Sequence, residues 1–437
     1  MTSINTTAQI HTVFEPRKIM MNITNQIDVV DILNASLVCK NWRQFFTNSS
    51  IFEGFLKNNP LFCREELIQV NPFKACVREA QIKNCILSHS LGENSFFVKK
   101  LSPINTSSRY ETETKCDYIG ILEDKFITQF RKTEYKSTAN NEKYILASTI
   151  NYESDYKFTH SLDNSLKFKR LNTPGVRFHK TCKFQNRTYL AIDTGLYEFK
   201  EGSFNEIFDA CHSMEYKFIF DFVVAESGFY VRADKTIRSF YNDPNKVNKE
   251  IDVSINRPNM VIFNNCLVVQ FETDHLHFYD QDLDIKFKIP LKGFAINSLL
   301  VWNNELIVAG SEPYIMVFNK EGSQTRLLKG HTAKVTHLET IGDYLLSASQ
   351  DLTIRIWHPN GSSFEIDTDA KQISNLAVKG TQILLNRNNE DSVTLMNLTG
   401  KPPHIELNSI QYIVSPSLNA IGGVFKGFIS KIKSLIP

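Results

Sequence analysis

Few residues in this chain have the types and spacing of a catalytic or metal site. The sequence contains no GxxxxGK[ST] loop, no HExxH motif, no GxSxG elbow and no paired Cys/His motif. His331 and Asp351 have the residue types of a general acid–base pair, but they stand within a repeated pattern of strands. The eight cysteines are scattered, with no CxxC pair, so no zinc site or disulfide framework is indicated. We therefore expect no cofactor and no metal.

The charge and hydropathy of the chain disfavour two further classes of function. Lysine and arginine total 49 against 47 for aspartate and glutamate, so the net charge of +2 would not attract nucleic acid or an anionic bilayer. No stretch approaches ~20 uninterrupted apolar residues, and we expect a soluble chain. The 32 phenylalanines and 15 tyrosines are typical of many short, half-buried strands.

An apolar strand, a polar turn and a second apolar strand recur along the chain about every forty residues. The last large residues of six such hairpins are spaced 41, 39, 39, 39 and 39 positions apart. They are Phe199, Phe240, Tyr279, Phe318, Trp357 and Met396. An earlier segment, KYILASTINYESDYKFTHSL, fits the same plan with its second strand near Phe158. A further apolar segment precedes each hairpin, which predicts three or four strands in each unit.

Four-stranded units at this spacing predict a β-propeller. One small sheet cannot cover both of its faces, whereas sheets packed around an axis bury each inner face and leave only short edges. The predicted fold is mainly β, with seven blades, or eight if residues 96–120 form a further unit. The alternative for that segment is an outer strand that closes a seven-bladed ring. An ordinary β-sandwich fits so regular a spacing poorly.

One segment, LLKGHTAKVTHLETIGDYLLSASQDLTIRIWHPNG, resembles a WD repeat. A Gly-His pair leads it, Asp351 lies in the turn between its middle strands, and Trp357 ends the third strand. His358 stands where the family has the Asp of its WD dipeptide, and the other units lack these signals. In that family the His, the turn Asp, a strand Ser or Thr and the Trp form a buried, hydrogen-bonded set. The resemblance implies this structural role, not acid–base catalysis, for His331, Ser347 or Ser349, Asp351 and Trp357.

Upstream of the repeats, the segment from about Phe14 to Phe52 has helical periodicity. Pro16 suits a first helical turn, and Asp31 is a suitable helix cap. Two or three short helices cannot bury much apolar surface alone. We therefore expect this module to need a partner.

The same segment resembles an F-box, most specifically over QIDVVDILNASLVCKNWR. Glu15 and Lys18 stand where the family favours Leu and Glu, which bears on contact at the first turn. F-boxes bind a Skp-type adaptor, which in turn holds the cullin scaffold of a ubiquitin ligase. The resemblance implies that this interface includes Pro16, Ile19, Ile23, Ile27, Val30, Leu33 and Leu37. The alternative is a helical cap packed on the propeller.

Helical periodicity continues between the two modules, and the chain ends in a basic amphipathic segment. That tail could lie on a membrane surface, enter a partner's groove or pack on the propeller. The predicted domains are a flexible tail (1–13), an F-box-like helical domain (14–55), a helical linker (56–95), a β-propeller (96–413) and the amphipathic tail (414–437).

These features predict a non-catalytic adaptor that binds a Skp-type protein through its F-box and recruits a target protein to its propeller for ubiquitination. The alternatives are a scaffold unconnected to ubiquitin and a propeller enzyme with a site in the loops around the axis. We expect the chain in the cytoplasm, with the nucleus or a host cell's cytosol as alternatives. The target is not identified, but Arg177, Arg232 and Arg355 are candidates to read an acidic or phosphorylated peptide.

Overall fold

The computed structural model describes most of the predicted propeller and part of the chain before it. The described residues are 53, 56–57, 59–62, 72, 75–76, 78–80, 82–83, 86, 97–101, 111–122, 125–137, 143–154, 178–192, 195–200, 203–209, 219–233, 235–241, 247–253, 259–271, 275–368, 372–388, 390 and 392–398. The chain divides into two compact units. The first comprises Met1–Phe97, Gly342–Tyr344 and Leu398–Pro437, and the second comprises Val98–Ile341 and Leu345–Asn397.

The described residues form 27 strands, almost all in the second unit. The first eight are β1 (Phe97–Leu101), β2 (Glu111–Leu122), β3 (Lys125–Ser137), β4 (Lys143–Ser154), β5 (Phe178–Phe184), β6 (Arg187–Ile192), β7 (Gly195–Lys200) and β8 (Ser203–Asp209). The next eight are β9 (Ile219–Ala225), β10 (Gly228–Ala233), β11 (Thr236–Phe240), β12 (Lys249–Asp252), β13 (Met260–Phe263), β14 (Cys266–Phe271), β15 (His275–Tyr279) and β16 (Ile285–Pro290).

The remaining strands continue the same pattern to the end of the propeller. They are β17 (Ile296–Trp302), β18 (Glu305–Gly310), β19 (Tyr314–Phe318), β20 (Gln324–Lys329), β21 (Val335–Ile341), β22 (Tyr344–Ser349), β23 (Thr353–Trp357), β24 (Ser363–Asp367), β25 (Ile373–Lys379), β26 (Gln382–Arg387) and β27 (Val393–Asn397).

In the described residues, these strands form six four-stranded sheets and one three-stranded sheet. Five sheets take four consecutive strands in chain order, from β5–β8 to β21–β24. The inner strands β2, β5, β9, β13, β17, β21 and β25 each pack on the next, and β25 packs on β2. Because the packing returns to its starting strand, the sheets close into a ring. The second unit is a β-propeller, as the spacing of the hairpins predicts.

The structure decides between the two alternatives for residues 96–120. Residues 97–101 form the outer strand of the sheet β1-β27-β26-β25 and so close the ring, as the second alternative predicts. Residues 111–120 begin the sheet of β2, β3 and β4, so within the described residues there is no eighth unit. The prediction of seven blades is confirmed in part, because among the described residues six sheets have four strands and the sheet β2–β4 has three. In the sheet β2–β4, KYILASTINYES forms one strand of 12 residues, β4, which pairs with β3 of 13 residues. Phe158 lies outside the described residues.

Local sequence explains both the strands and their turns. The turn Asn303–Asn304 between β17 and β18 has positive φ at both residues, 51° and 59°, which asparagine tolerates and which suits a two-residue hairpin. The large residues that define the repeat all lie near the ends of the third strands and are buried. One interior cluster joins sheets β17–β20 and β21–β24 through Trp302, Ile307, Ile315, Leu328, Leu345 and Trp357.

The first unit contains helical residues upstream of the propeller. They are residues 53, 56–57, 72, 75–76, 78–80, 82–83 and 86. Residues 1–52, and with them all predicted F-box contact residues, lie outside the described part of the chain, as does the tail from residue 399. No helix within the described part has the length and hydrophobicity needed to cross a bilayer.

A compact hydrogen-bonded contact within the first unit surrounds Leu61 and Phe62. The Leu61 N–H donates to the Asp343 carboxylate at 2.8 Å, and the Asp343 N–H donates to the Leu61 carbonyl at 2.8 Å. The Phe62 N–H donates to both oxygens of the buried Glu79 at 3.0 and 3.1 Å. The Phe62 ring stacks on that of Tyr344, with centroids 4.0 Å apart. Buried polar groups here are therefore satisfied within the unit.

Candidate functional site

The residues predicted to form a WD-type set meet in the sheet β21–β24, named here the WD blade. His331 precedes β21, Ser347 lies on β22 and Trp357 ends β23. The Ser347 hydroxyl lies 2.8 Å from His331 Nε2, and it accepts the Trp357 Nε1–H at 2.8 Å. On its other side, His331 Nδ1 lies 2.8 Å from Asp351 Oδ2. One hydrogen-bonded chain thus joins the entry to the blade with its second and third strands.

The Asp351 carboxylate also organises the turn between β22 and β23. Its Oδ2 accepts the Thr332 N–H at 2.9 Å, and its Oδ1 accepts the Thr353 N–H at 3.0 Å and the Thr353 hydroxyl at 2.7 Å. The Asp351 N–H donates to the Ser349 hydroxyl at 3.1 Å. That hydroxyl lies 3.0 Å from the carbonyls of Ala333 and Lys334, so it ties the turn to the start of β21. Both candidate serines are used, but only Ser347 contacts His331 and Trp357.

The protonation states of this set favour a structural role. Burial lowers the pKa of His331, although the neighbouring Asp351 acts in the opposite direction. Burial alone would raise the pKa of Asp351, but hydrogen bonds from Thr353 and Thr332 and the proximity of His331 hold it below its ordinary value. A neutral His331 can donate from Nδ1 to Asp351 and accept at Nε2 from Ser347, which satisfies each partner. Only 1% of the His331 side chain and 6% of that of Asp351 are exposed, so neither can reach a substrate.

Thr353 and Leu352 are two residues of this turn that sequence reasoning missed. Thr353 supplies two of the hydrogen bonds to Asp351, and Leu352 adopts φ of 71°, a left-handed conformation that a bulky residue rarely takes. The sequence signal was available for Thr353, because an Asp two positions before a Thr in a turn can accept both its N–H and its hydroxyl. No comparable signal marks Leu352.

Titratable side chains also converge on the inner strands. Lys180 on β5 forms an ion pair with Asp221 on β9, with 2.8 Å between Nζ and Oδ1. Burial raises the pKa of Glu339 on β21 to about 7, and Lys180 acts to lower it. Nowhere in the described residues do three His, Cys, Asp or Glu side chains form a group that could hold a metal.

The candidate target-reading arginines are placed differently from each other. Arg232 is buried, and its guanidinium lies over the Phe220 ring at 5.0 Å from the centroid. Arg355 pairs with the Glu365 carboxylate and donates to the Ser363 hydroxyl at 3.2 Å, so its charge is used within the WD blade. Arg177 lies outside the described residues. The structure therefore does not bring Arg232 and Arg355 together on a common surface.

Comparison with protein families identifies the N-terminal module. Residues 16–53 match the F-box domain. The chain carries an F-box domain. The match spans every residue that the sequence assigns to adaptor contact, from Pro16 to Leu37. An F-box protein with a WD-repeat-type propeller is therefore the description that the two modules support. No curated protein sequence is significantly similar to this F-box chain.

Solved structures with a similar fold include WD40 propellers. The C-terminal WD40 domain of Sif2 has a TM-score of 0.45 and 11% identity, over 69% of this chain and 85% of that one. The WD40 β-propeller domain of Doa1 has a TM-score of 0.43 and 11% identity, over 69% of this chain and 97% of that one. The computationally designed Ika8 protein has a TM-score of 0.44 and 10% identity, over 66% and 98%. These likenesses are weak, and the fold assignment rests on the sheet order itself.

Proposed function

We propose that this F-box protein is a non-catalytic adaptor of a cullin ubiquitin ligase. Its F-box would bind a Skp-type protein, and its propeller would present a target protein for ubiquitination. The observation that carries the proposal is the F-box match at residues 16–53 ahead of a closed propeller on the same chain. An F-box exposes apolar helical residues for a second protein, and a propeller supplies a broad rigid surface for a third.

The contacts of the WD blade support an adaptor over an enzyme. The one His–Asp pair that sequence reasoning considers for acid–base chemistry, His331 and Asp351, is enclosed by protein hydrogen bonds. A general base must come within reach of the proton that it removes, and these groups have no route to one. The polar groups on the inner strands offer binding partners for a polar ligand, and we assign them no reaction.

We place this function in the cytoplasm. The support is chemical, because the described cysteines Cys76, Cys116, Cys182 and Cys266 form no disulfide with one another, as expected in a reducing compartment. The nucleus and a host cell's cytosol are compartments with the same redox state.

The test is capture of a purified Skp-type adaptor by the full-length chain. In Leu33→Asp and Val30→Asp, a real interface would have to bury a charge without a partner, which costs several kcal/mol. We therefore expect capture to fall at least about a hundredfold. The matched control is Ile285→Asp, which adds the same charge at an exposed apolar residue of the propeller and should leave capture unchanged.

Thermal unfolding of each variant checks that the propeller is intact. Unchanged capture by Leu33→Asp and Val30→Asp, or no capture by the wild type, would reject the adaptor function. The chain would then be a protein-interaction scaffold without a link to ubiquitin. If capture is confirmed, ubiquitination of proteins enriched by the intact chain, and not by an F-box-deleted chain, tests the second half of the proposal.

A further inference from the structure

The outer strand β16 is more exposed than the corresponding strands of the other fully described sheets. Every residue from Ile285 to Lys288 is exposed, whereas β20 buries Leu328 and β24 buries Ile366. Ile285 exposes 49% and Phe287 36% of its surface, and they are the large apolar residues with highest exposure in the described part of the chain. Large apolar side chains exposed to water at a sheet edge are unfavourable unless another group covers them.

The register of β16 places Phe287 and Ile289 on one face and Lys288 on the other, and a β-bulge between Phe287 and Ile285 interrupts this alternation at the start of the strand. Phe287 lies opposite Phe278 on β15, and Lys288 lies opposite His277. The Phe287 ring stacks on that of Phe278, with centroids 4.2 Å apart, so it is held as a platform. Gly322 lies against the same Phe287 ring, because a Cβ at this position would be only 2.9 Å from it. An extended segment laid along β16 would therefore meet a firm apolar face and a basic face.

The edge of β16 is also free for backbone pairing. In the sheet order β13-β14-β15-β16, this strand is last, and within the described residues it pairs with β15 alone. The outward N–H and C=O groups of such a strand can pair with an added strand. Pro290 ends the strand and has no N–H to offer, so the free edge covers Ile285–Ile289.

The charges of β16 are unbalanced, in contrast to three other outer strands. On β12, Glu250 pairs with Arg238 at 2.7 Å, and on β20, Arg326 pairs with Glu305 at 2.5 Å. Glu365 on β24 pairs with Arg355.

Lys286 and Lys288 on β16 make no ion pair with any acid of the described residues. The nearest acid along the chain, Asp284, pairs with Lys249 at 2.5 Å. The basic face of β16 thus lacks the internal counterion that the other strands have.

We propose that β16 is a docking edge for an extended protein segment that alternates apolar and acidic residues. The segment would add as a fifth strand to the sheet β13–β16, with apolar side chains over Phe287 and Ile289 and carboxylates beside Lys286 and Lys288. Backbone pairing supplies most of the affinity in this mode, and the alternating side chains supply the specificity. This inference stands on the sheet β13–β16 alone and does not depend on the F-box.

The test uses the full-length chain and a fluorescein-labelled peptide of six residues that alternates valine and glutamate, with binding followed by fluorescence anisotropy. We expect saturable binding that weakens at least about tenfold when lysine replaces glutamate in the peptide. A peptide with N-methylated backbone amides should also bind at least about tenfold more weakly, because it cannot pair with the edge.

Variants then locate the site. Lys286→Glu with Lys288→Glu should weaken binding of the valine–glutamate peptide about tenfold or more and restore binding of the valine–lysine peptide. Phe287→Ser should weaken both. The matched control is Lys329→Glu with Lys334→Glu, which changes the net charge equally at two exposed lysines outside the sheet β13–β16 and the turn of Gly322, and it should leave binding unchanged.

Several outcomes would overturn the inference. Failure of the wild type to bind, or equal binding by the charge-reversed variant, would mean that the lysines only protect the edge from pairing. Tighter, lysine-dependent binding of a single-stranded oligonucleotide would identify a polyanion site in place of a strand site. Because the assay contains no Skp-type adaptor, none of these results bears on the proposed ligase function.

Discussion

The WD blade and the sheet β13–β16, named here the edge blade, have the same strand order but are stabilised differently. Both end their third strand with a large buried ring, Trp357 in one and Tyr279 in the other. In the WD blade, that ring belongs to the hydrogen-bonded chain through Ser347 and His331. In the edge blade, the Tyr279 hydroxyl lies 3.2 Å from His277 Nδ1. The two blades thus share the large buried ring, and the polar chain is found in the WD blade in addition to it.

The outer strands of the two blades also differ, in the pairing of their charges and in the exposure of their apolar side chains. The WD blade neutralises Glu365 with Arg355 inside the sheet, and its outer strand buries Ile366. The edge blade leaves two lysines and two large apolar residues in solvent. A blade whose outer-strand charge is paired within the sheet is a self-contained support, whereas one with unpaired charges at its edge is suited to contact another chain. The two blades therefore illustrate separate uses of one architecture.

The largest expected effect comes from removing the shared ring. Trp357→Ala deletes a fully buried side chain and the donor to Ser347, and we expect it to lower the free energy of unfolding by about 3–5 kcal/mol. Tyr279→Ala at the matching position should cost less, because its hydroxyl is tied to one partner. Urea denaturation of both variants gives the comparison. Equal losses would mean that the hydrogen-bonded chain adds nothing to the packing of Trp357.

The second prediction tests how much the hydrogen bonds of the WD blade, apart from its packing, contribute to the free energy of unfolding. Ser347→Ala removes one oxygen and leaves both His331 Nε2 and the Trp357 N–H buried without their partner. We expect a loss of about 1–3 kcal/mol in the free energy of unfolding. The control Ser323→Ala removes an exposed hydroxyl in the neighbouring sheet and should change stability very little. If Ser347→Ala is as stable as the control, the hydrogen bonds through Ser347 do not stabilise the WD blade.

The spacing of large residues was enough to predict the propeller, because a large buried side chain near the end of each third strand fills the same place in each sheet. All six positions, five aromatic residues from Phe199 to Trp357 and Met396, fall on third strands. In the first sheet, β2, β3 and β4 are 12 to 13 residues long, and no turn signal in the sequence indicates this length. The strand predicted near Phe158 lies outside the described residues and stays a prediction. The exposure of β16 was not predictable either, since it depends on which side chains from other parts of the chain pack on the strand.

A third prediction concerns how the stability of the protein depends on pH, and it distinguishes His277 of the edge blade from His331 of the WD blade. Burial, with smaller contributions from Lys288 and His275, lowers the pKa of His277 from 6.5 to about 4. Between these values the unfolded chain binds a proton that the folded chain does not, so stability is full above about pH 6.5 and falls as the pH is lowered toward 4. One proton changes stability by no more than about 1.4 kcal/mol per pH unit.

His277→Gln cannot take up this proton, and its thermal unfolding should depend less on pH over that interval than that of the wild type. The contribution of His331 in the WD blade remains in both proteins, because burial lowers its pKa as well. Parallel pH profiles for the wild type and His277→Gln would show that the edge blade tolerates a charged histidine.

The smallest expected effect lies on the outer strands, where the two blades differ most in charge. Glu365→Gln removes the partner of Arg355, whose side chain is 17% exposed against 49% for Glu365. Because the pair is partly solvated, we expect a loss of only about 0.2–1 kcal/mol, which should shrink in about 1 M salt as the charges are screened. Lys288→Gln removes a charge that has no acidic partner in the described residues, so it should be neutral or slightly stabilising. Urea denaturation of both variants at low and high salt distinguishes the strands. If Lys288→Gln loses as much stability as Glu365→Gln, the lysine already has a counterion within this chain, and the basic face of β16 would not be available to an acidic segment.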